Sequence, residues 1–217
     1  MFLVVEQLIP FSLELHIGGS TIENVCSLSI LGISFDPKML FEHHLRKVAA
    51  SASQKLGIMR RGWQLFGDLV LLRRCFNSYI LPVLEYCSPV WRSSSDVHLR
   101  LLDRVVRQAS FMLDGNLRCD LGHRRDVAAL CMLFKIINRP GHSLYDSLPG
   151  RFVPIRNTRH AANLHSNSLN PVRCRTGQFS RSFVPCTVVL WNSLDEDVFA
   201  GGSLGSFKSK VNGFLSC

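Results

Sequence analysis

The sequence lacks the motifs that mark a metal site or a familiar catalytic centre. Its eight cysteines include no Cys-x-x-Cys pair, so the short ligand spacing of zinc sites is missing. It contains no P-loop and no His-Glu-x-x-His, and its acidic residues are scattered. His43 and His44 are neighbours in a predicted helix, where adjacent side chains point about 100° apart and suit one metal ion poorly. We therefore predict no catalytic residue, no metal ligand and no small-molecule substrate.

Long apolar runs are missing as well. No stretch approaches the ~18 apolar residues that a membrane-spanning helix needs. The N-terminal segment MFLVVEQLIP has no basic residue and is interrupted by Glu6, which makes it a poor signal peptide. The cysteines occur singly and several lie inside apolar runs, as reduced and buried thiols do. We expect an intracellular protein, nuclear or cytoplasmic, that is not secreted and has no membrane partner.

Basic residues are absent from residues 1–36, which carry four acidic residues. Residues 37–140 carry seventeen basic and eight acidic residues, and residues 141–217 carry eight and four. The net charge is thus −4 for residues 1–36 and +13 for the rest of the chain, which together give the formal net charge of +9. A basic excess confined to predicted helices suggests a polyanionic partner, nucleic acid before membrane. An arginine-rich surface without a partner is the alternative, and composition does not separate the two.

Strand patterns are confined to residues 1–36. Residues 11–17 alternate between apolar and polar, a Gly-Gly-Ser turn follows, and residues 21–25 can return as a second strand. Residues 26–35 are again apolar near period two. The pattern predicts a small antiparallel sheet that is too small to be stable alone. A chain that starts abruptly in strands suggests that an N-terminal partner segment has been lost.

Helical periodicity follows from residue 37 to residue 139. Asp36 suits an N-cap and Pro37 the first helical position, so a first helix is predicted from there to Gly62 or Gly67. Further helices are predicted from Asp68, with an interruption at Pro82, and over 96–112 and 124–138. Short loops join them, which favours an antiparallel bundle. The side chains expected to face the core of the first helix are Phe41, Leu45, Val48, Ala52, Leu56, Met59 and Trp63.

The C-terminal region, residues 140–217, has a different character. It begins with turn-forming residues and arginines without a clear period, which predicts an extended or irregular crossing. An apolar block at 179–194 and a short closing helix at 203–216 follow. The predicted fold class is therefore mainly α, with an N-terminal antiparallel hairpin, a helical bundle and an irregular C-terminal region.

The first predicted helix is amphipathic, and its polar side is basic. Lysine and arginine on a rigid helix can bind backbone phosphates without reading the bases. A solvated basic face is the alternative interpretation. The basic residues of this helix are Arg46, Lys47, Lys55, Arg60 and Arg61. Arg124 and Arg125, near the start of the fourth helix, are either phosphate contacts or part of an exposed helix start.

Several segments, spread along nearly the whole chain, together resemble one known protein family. LGISFD is followed by a helix of the form F-x-x-H-L-x-x-V-x-x-S-A-x-x-x-L-G-I-M-R-R. SYILPVLEYCSPVW, HRRDVAALCMLFKI, TRHA, SFVPCTVVLWNSL and SFKSKVNGFL then follow at 78–91, 123–136, 158–161, 182–194 and 206–215. Together they resemble the part of non-LTR (LINE-type, jockey- or RTE-like) retrotransposon reverse transcriptases that lies just after the palm.

The resemblance implies roles for the three regions. Residues 27–36 would be the primer-grip hairpin, with Leu31 and Gly32 as its Leu-Gly pair, where glycine lets a backbone approach nucleic acid closely. The helices of 37–139 would be the thumb, and 140–217 an element-specific C-terminal region. Reverse transcriptases hold two metal ions with palm aspartates, and this chain has no Asp-Asp pair.

The expected function is accordingly that of a fragment of an RNA-directed DNA polymerase. Without the palm it has no site for Mg²⁺ and is expected to be inactive alone. It would contribute weak, sequence-independent binding of an RNA or DNA duplex or hybrid. The alternatives are a domesticated stand-alone nucleic-acid-binding module and a non-functional relic.

Overall fold

The computed structural model describes residues 15–22, 25–113, 115, 117, 119–139, 141–153 and 165–216, with the backbone alone at 15, 17, 22 and 63–66. Within them the fold is mainly helical with short antiparallel strands near the N-terminus, which confirms the coarse fold class. No described helix is long and apolar enough to cross a membrane. The first four residues of the predicted strand 11–17, and the TRHA segment, lie outside the described residues.

Two short hairpins form the strand region. Strands β1 (Leu15–Ile17) and β2 (Ser20–Ile22) pair antiparallel, and β3 (Leu28–Ile30) pairs with β4 (Ile33–Phe35) in a separate sheet. Ile30 lies opposite Ile33, which leaves Leu31 and Gly32 as a two-residue turn. Their φ angles are +49° and +83°, and a type I′ hairpin turn requires positive φ at both central residues. The turn therefore strains Leu31 and suits Gly32.

The first helix begins later than predicted. Helix α1 spans Glu42–Phe66, and the predicted N-cap Asp36 instead organises the loop before it. The Asp36 carboxylate accepts hydrogen bonds from the backbone N–H groups of Lys38, Leu40 and Phe41 at 3.0, 3.1 and 2.7 Å. These bonds satisfy the carboxylate inside a loop, where Phe41 has a φ of +55° that a helix cannot contain. The helix ends before Gly67, one of the two predicted stops, whose φ is +61°.

The predicted inner face of α1 is largely confirmed. Phe41, Leu45, Ala52 and Leu56 are buried, and Val48 and Met59 pack against the same cluster at partial burial. The side chain of Trp63 lies outside the described part of the structure.

A bent helical segment follows α1. Helix α2 (Leu69–Cys75) starts directly after Asp68, the predicted start, whose carboxylate caps it by accepting from the N–H groups of Val70 and Leu71 at 2.8 and 3.3 Å. A π-helical turn over Phe76–Ile80 leads into α3 (Leu81–Glu85), whose first turn contains Pro82. The predicted interruption at this proline is thus absorbed by the wider π turn. The short helix α4 (Ser88–Trp91) closes the segment.

The next two helices differ in how well the sequence predicted them. Helix α5 spans Asp96–Met112, as predicted. Helical spacing with Leu101 and Val105 predicts that Val97 faces the core, but its side chain is 68% exposed. Helix α6 spans Leu121–Ile137 and begins three residues before the predicted start. Its N-cap is Asp120, whose carboxylate accepts from Gly122 N–H at 2.7 Å and His123 N–H at 3.3 Å.

The helices do not pack as the predicted antiparallel bundle. Helices α1 and α5 pack side by side in parallel, with Glu42 3.5 Å from His98 near their starts and Arg60 beside Phe111 near their ends. The segment from α2 to α3 returns in the opposite direction, which places Tyr79 beside Lys55. Because that segment connects the two long helices, α5 can run in the same direction as α1.

Helix α6 packs mainly into a second hydrophobic cluster. Leu121 belongs to the cluster of the first helices, whereas Val127, Leu130 and Phe134 pack with Trp191. The C-terminal helices of this cluster are α7 (Gly177–Ser180), α8 (Phe183–Asn192) and α9 (Leu204–Leu215), with 3₁₀ turns at Tyr145–Ser147 and Glu196–Phe199. The predicted closing helix at 203–216 therefore exists. The predicted boundary at residue 139 comes after α6, while the division between the buried clusters falls inside that helix.

Candidate nucleic-acid interface

The solvent-facing side of α1 carries the predicted cations. Leu45 and Ala52 anchor the opposite side in the core, since each is 0% exposed. At about 100° per residue, Arg46, Lys47 and Arg61 then point away from that core, and all three are exposed. We refer to these three residues as the α1 face. They stand on a rigid helix whose orientation is set by buried side chains.

Arg46 is the one member of the α1 face with an acidic partner. Its guanidinium lies 2.8 Å from the Glu42 carboxylate, one helical turn earlier. That hydrogen bond, together with the nearby charge of His98, lowers the pKa of Glu42 below its usual value. Lys47 and Arg61 have no ion-pair partner among the described residues. The positive field of the α1 face therefore comes chiefly from those two.

Lys55 and Arg60 lie at opposite edges of α1. Lys55 Nζ is 3.5 Å from the Tyr79 carbonyl oxygen, on the side of the π turn. Arg60 borders the groove between α1 and α5, beside Gln108 and Phe111. The five cations predicted on this helix thus point in three directions rather than one.

The hairpin turn lies beside the α1 face. Ser34 N–H donates to His44 Nδ1 at 3.4 Å, and Tyr86 Oη donates to the Leu31 carbonyl at 3.1 Å. A shallow hollow of about 360 Å³ has Gly32, Lys47 and Tyr86 among its lining residues. Leu31 is 84% exposed, and a Cβ placed on Gly32 would meet no atom within 4 Å. The structure therefore brings together Leu31, Gly32 and Lys47 from separate predicted elements.

His44 fixes the hairpin against α1 from a buried position. It is 3% exposed, and its Nε2 is buried without a hydrogen-bond partner in the described structure. Burial lowers its pKa below the usual value, and the charges of Lys47 and His43 lower it further. The unfolded chain takes up a proton near pH ~6.5 and the folded chain only at lower pH. The free energy of unfolding should therefore fall as pH decreases through about 6.5 toward the folded-state pKa.

The variant His44→Asn tests whether protonation of His44 lowers the free energy of unfolding at acidic pH. His44→Asn can keep an acceptor for the Ser34 N–H but cannot titrate. We expect a smaller loss of stability than in the wild type when urea unfolding is compared at pH ~7.5 and pH ~5.5, the range over which histidine changes charge. Equal losses in the variant and the wild type would contradict a role for His44 in the pH dependence.

Arg124 and Arg125 are both engaged in ion pairs. Arg124 pairs with the Glu85 carboxylate, and this hydrogen bond raises the pKa of the arginine. The Arg125 side chain is 10% exposed and lies 3.9 Å from Asp103, and burial lowers its pKa. Both guanidinium groups tie α6 to neighbouring helices. A phosphate contact by either residue would compete with these pairs, and that assignment stays a prediction.

Sequence reasoning missed three arginines on α5. Arg100, Arg104 and Arg107 are exposed and lie at spacings of four and three residues, which puts them on one side of the helix. Val105 and Ala109 of the same helix are buried. This periodicity was available in the sequence, since the helix bounds were predicted, but only its inner face was considered.

Metal ligands and known relatives give no further guide to the site. In the part of the chain that the structure describes, no three His, Cys, Asp or Glu side chains group so that they could hold a metal ion. The two-metal arrangement of a polymerase therefore does not fit the described residues. Comparisons with protein-family models, curated proteins and solved structures found no match to this chain.

Proposed function

We propose that this chain binds nucleic-acid duplexes or hybrids through their phosphate backbones, without reading sequence, as the primer grip and thumb of a non-LTR retrotransposon reverse transcriptase. The observation that carries the proposal is the position of Lys47, one member of the α1 face, beside the exposed Leu31-Gly32 turn. Arg61 extends the same face toward the other end of the helix, and neither Lys47 nor Arg61 has an acidic partner among the described residues.

Backbone binding would proceed by replacement of counterions. Each lysine or arginine that reaches a phosphate releases condensed cations, which favours association without base contacts. The buried anchors Leu45 and Ala52 hold the cations in place, so little ordering is needed on binding. Gly32 has no side chain, which lets the turn approach a backbone closely.

We propose that this chain binds nucleic acid and does not itself polymerise it. Phosphoryl transfer by two metal ions needs clustered carboxylates, and the sequence contains no Asp-Asp pair. No residue of the described structure is therefore assigned to the chemistry of DNA synthesis.

A salt titration tests the proposal. The wild-type chain is titrated onto a fluorescein-labelled RNA–DNA hybrid, and anisotropy is followed at several salt concentrations. If the three cations of the α1 face each contact a phosphate, affinity should fall about 40-fold between ~50 and ~200 mM salt. A second hybrid of unrelated sequence should bind within about threefold, because backbone contacts carry no sequence information.

Two outcomes of this titration would contradict the proposal. One is an absence of binding at ~50 mM salt, where backbone contacts are strong. The other is binding that does not respond to salt.

The two alternatives, a stand-alone binding module and a non-functional relic, can be distinguished by their behaviour in solution. Exposed apolar side chains on the second hairpin favour the relic, because such surfaces promote association. They are Val25, Leu28, Ile30 and Leu31, exposed by 59%, 53%, 48% and 84%. A monomer in sedimentation that binds the hybrid supports the module, whereas aggregation without binding supports the relic.

A further inference from the structure

A groove separates the two parallel helices on the side away from the hairpin turn. It has a volume of about 490 Å³, and its lining includes Ser53, Gly57 and Arg60 of α1 and Gln108 and Phe111 of α5. A Cβ placed on Gly57 would meet no atom within 4 Å, so the floor of the groove is open at that point. Leu56 and Met112 also line the groove, which therefore has mixed polar and apolar walls, an accessible floor and a cation at its edge.

Phe111 is the unusual residue of this groove. It is 78% exposed in the last turn of α5, although an aromatic ring is costly to leave in water. Arg107 and Arg104 precede it by four and seven residues, so the three side chains lie on one side of the helix. An exposed ring is thus aligned with two guanidinium groups.

Among the described residues, the charge around the groove is positive. Arg60 and Arg104 have neither an ion pair nor a hydrogen bond in the described part of the chain. Asp103 is the nearest acidic residue on α5, and its carboxylate lies 3.9 Å from Arg125 Nη1, on the side that packs toward α6. Asp103 also interacts electrostatically with Arg100 and Arg107, which leaves Arg60 and Arg104 as the cations least offset by acid.

We propose that this groove binds single-stranded nucleic acid, with backbone phosphates at Arg60 and Arg104 and one base stacked on Phe111. A single strand presents the faces of its bases, and aromatic rings beside cations bind such strands with little sequence preference. A duplex hides those faces, so Phe111 would add little to duplex binding. The inference rests on the proposed function only in that the chain binds nucleic acid, and it concerns a different surface and ligand.

The experiment compares two probes with two variants of Phe111. The probes are fluorescein-labelled oligo(dT) of about 12 nucleotides, within the usual site sizes for single strands, and the RNA–DNA hybrid. Phe111→Ala removes the ring, and Phe111→Tyr keeps an aromatic ring as the matched control. Because Phe111 is exposed, the alanine variant should fold, and circular dichroism checks this.

The expected result is selective. Phe111→Ala should weaken oligo(dT) binding about tenfold, the effect of losing one stacked base, and leave hybrid binding unchanged. Phe111→Tyr should bind oligo(dT) like the wild type. Arg104→Ala should weaken oligo(dT) binding and reduce its salt dependence by about one phosphate contact.

The possible failures are distinguishable. Oligo(dT) binding that is absent in the wild type, or equal in Phe111→Ala and the wild type, overturns the groove proposal while hybrid binding still supports the proposed function. Equal weakening of both probes also overturns it, because the ring would then have no preference for a single strand. Phe111-dependent binding of oligo(dT) without hybrid binding supports the groove and refutes duplex binding by the α1 face.

Discussion

Charge reversal on the first long helix should nearly abolish binding of an RNA–DNA hybrid. The variant Arg46→Glu, Lys47→Glu, Arg60→Glu, Arg61→Glu replaces four exposed cations by acids. Each substitution removes a possible phosphate contact and adds a charge that repels the backbone. We expect affinity at low salt to fall by at least about 100-fold, with a marked decrease in salt dependence.

The fold should tolerate this variant. Arg46, Lys47 and Arg61 point away from the buried face of α1, and Arg60 is exposed at the edge of the groove, so no buried side chain is replaced. Glutamate at position 46 would lie one turn from Glu42, and such a like-charge pair costs only about 0.2–0.5 kcal/mol. Anisotropy titration with the labelled hybrid measures the affinity, and circular dichroism verifies the helix content.

A matched control variant distinguishes the effect of where the replaced cations lie from the effect of net charge on hybrid affinity. Arg139, directly before the C-terminal region, and Arg151, Arg173 and Arg175 within it are exposed cations. Their replacement by glutamate changes the net charge by the same amount. This control should keep most of the affinity if the α1 face binds the backbone. Equal loss in both variants would show that only overall charge matters, and unchanged binding in the α1 variant would remove this face from the proposal.

The largest effect on stability is expected at Trp191, the centre of the C-terminal cluster. The side chain is 2% exposed, and its Nε1 donates to the Asn167 carbonyl at 2.9 Å. Its ring centroid lies 4.8 Å from that of Phe199 and 5.6 Å from that of Phe207. Trp191→Ala removes these contacts and leaves a cavity, which should lower the free energy of unfolding by about 3–5 kcal/mol.

Urea denaturation followed by circular dichroism measures this loss. Val189→Ala is the matched control, since it lies on the same helix, is 71% exposed and should change stability by no more than about 0.5 kcal/mol. A midpoint for Trp191→Ala equal to that of the wild type would contradict the central role of the tryptophan.

The same variant shows whether the two hydrophobic clusters unfold together. Helix α6 contributes to both clusters, and Arg92, directly after α4, donates to the Asp126 carboxylate and, at 3.3 Å, to Cys186 Sγ of α8. These links favour a single cooperative transition. A variant that loses only part of its helical signal and still binds the hybrid would show that the clusters unfold separately.

Local patterns explain what could be predicted from the sequence. The bounds of α5, the closing helix and the buried stripe containing Leu45, Ala52 and Leu56 all follow from periodicity and helix-capping residues. Such signals act within a few residues, so they are visible before any tertiary contact is known. The start of α1 was misplaced because the Asp36 carboxylate can cap either a helix or a loop, and sequence spacing does not distinguish them.

The candidate site depended on contacts between distant residues. Arg124 pairs with Glu85, and Arg125 with Asp103, so two cations that looked available for phosphate are already engaged. The partners come from other helices, and no local pattern reveals them. Arg60 was predicted with the other cations of α1, yet the parallel packing of α1 and α5 places it beside Phe111.

The sequence by itself determined the helical character of the chain, its acidic start and its excess of positive charge beyond residue 36. These properties depend on composition and on residue spacing along one segment. Only the tertiary structure decided which cations remain without acidic partners and which apolar side chains stay exposed beside them. Ion pairing and burial depend on distances between helices, and those distances are set by how the whole chain packs.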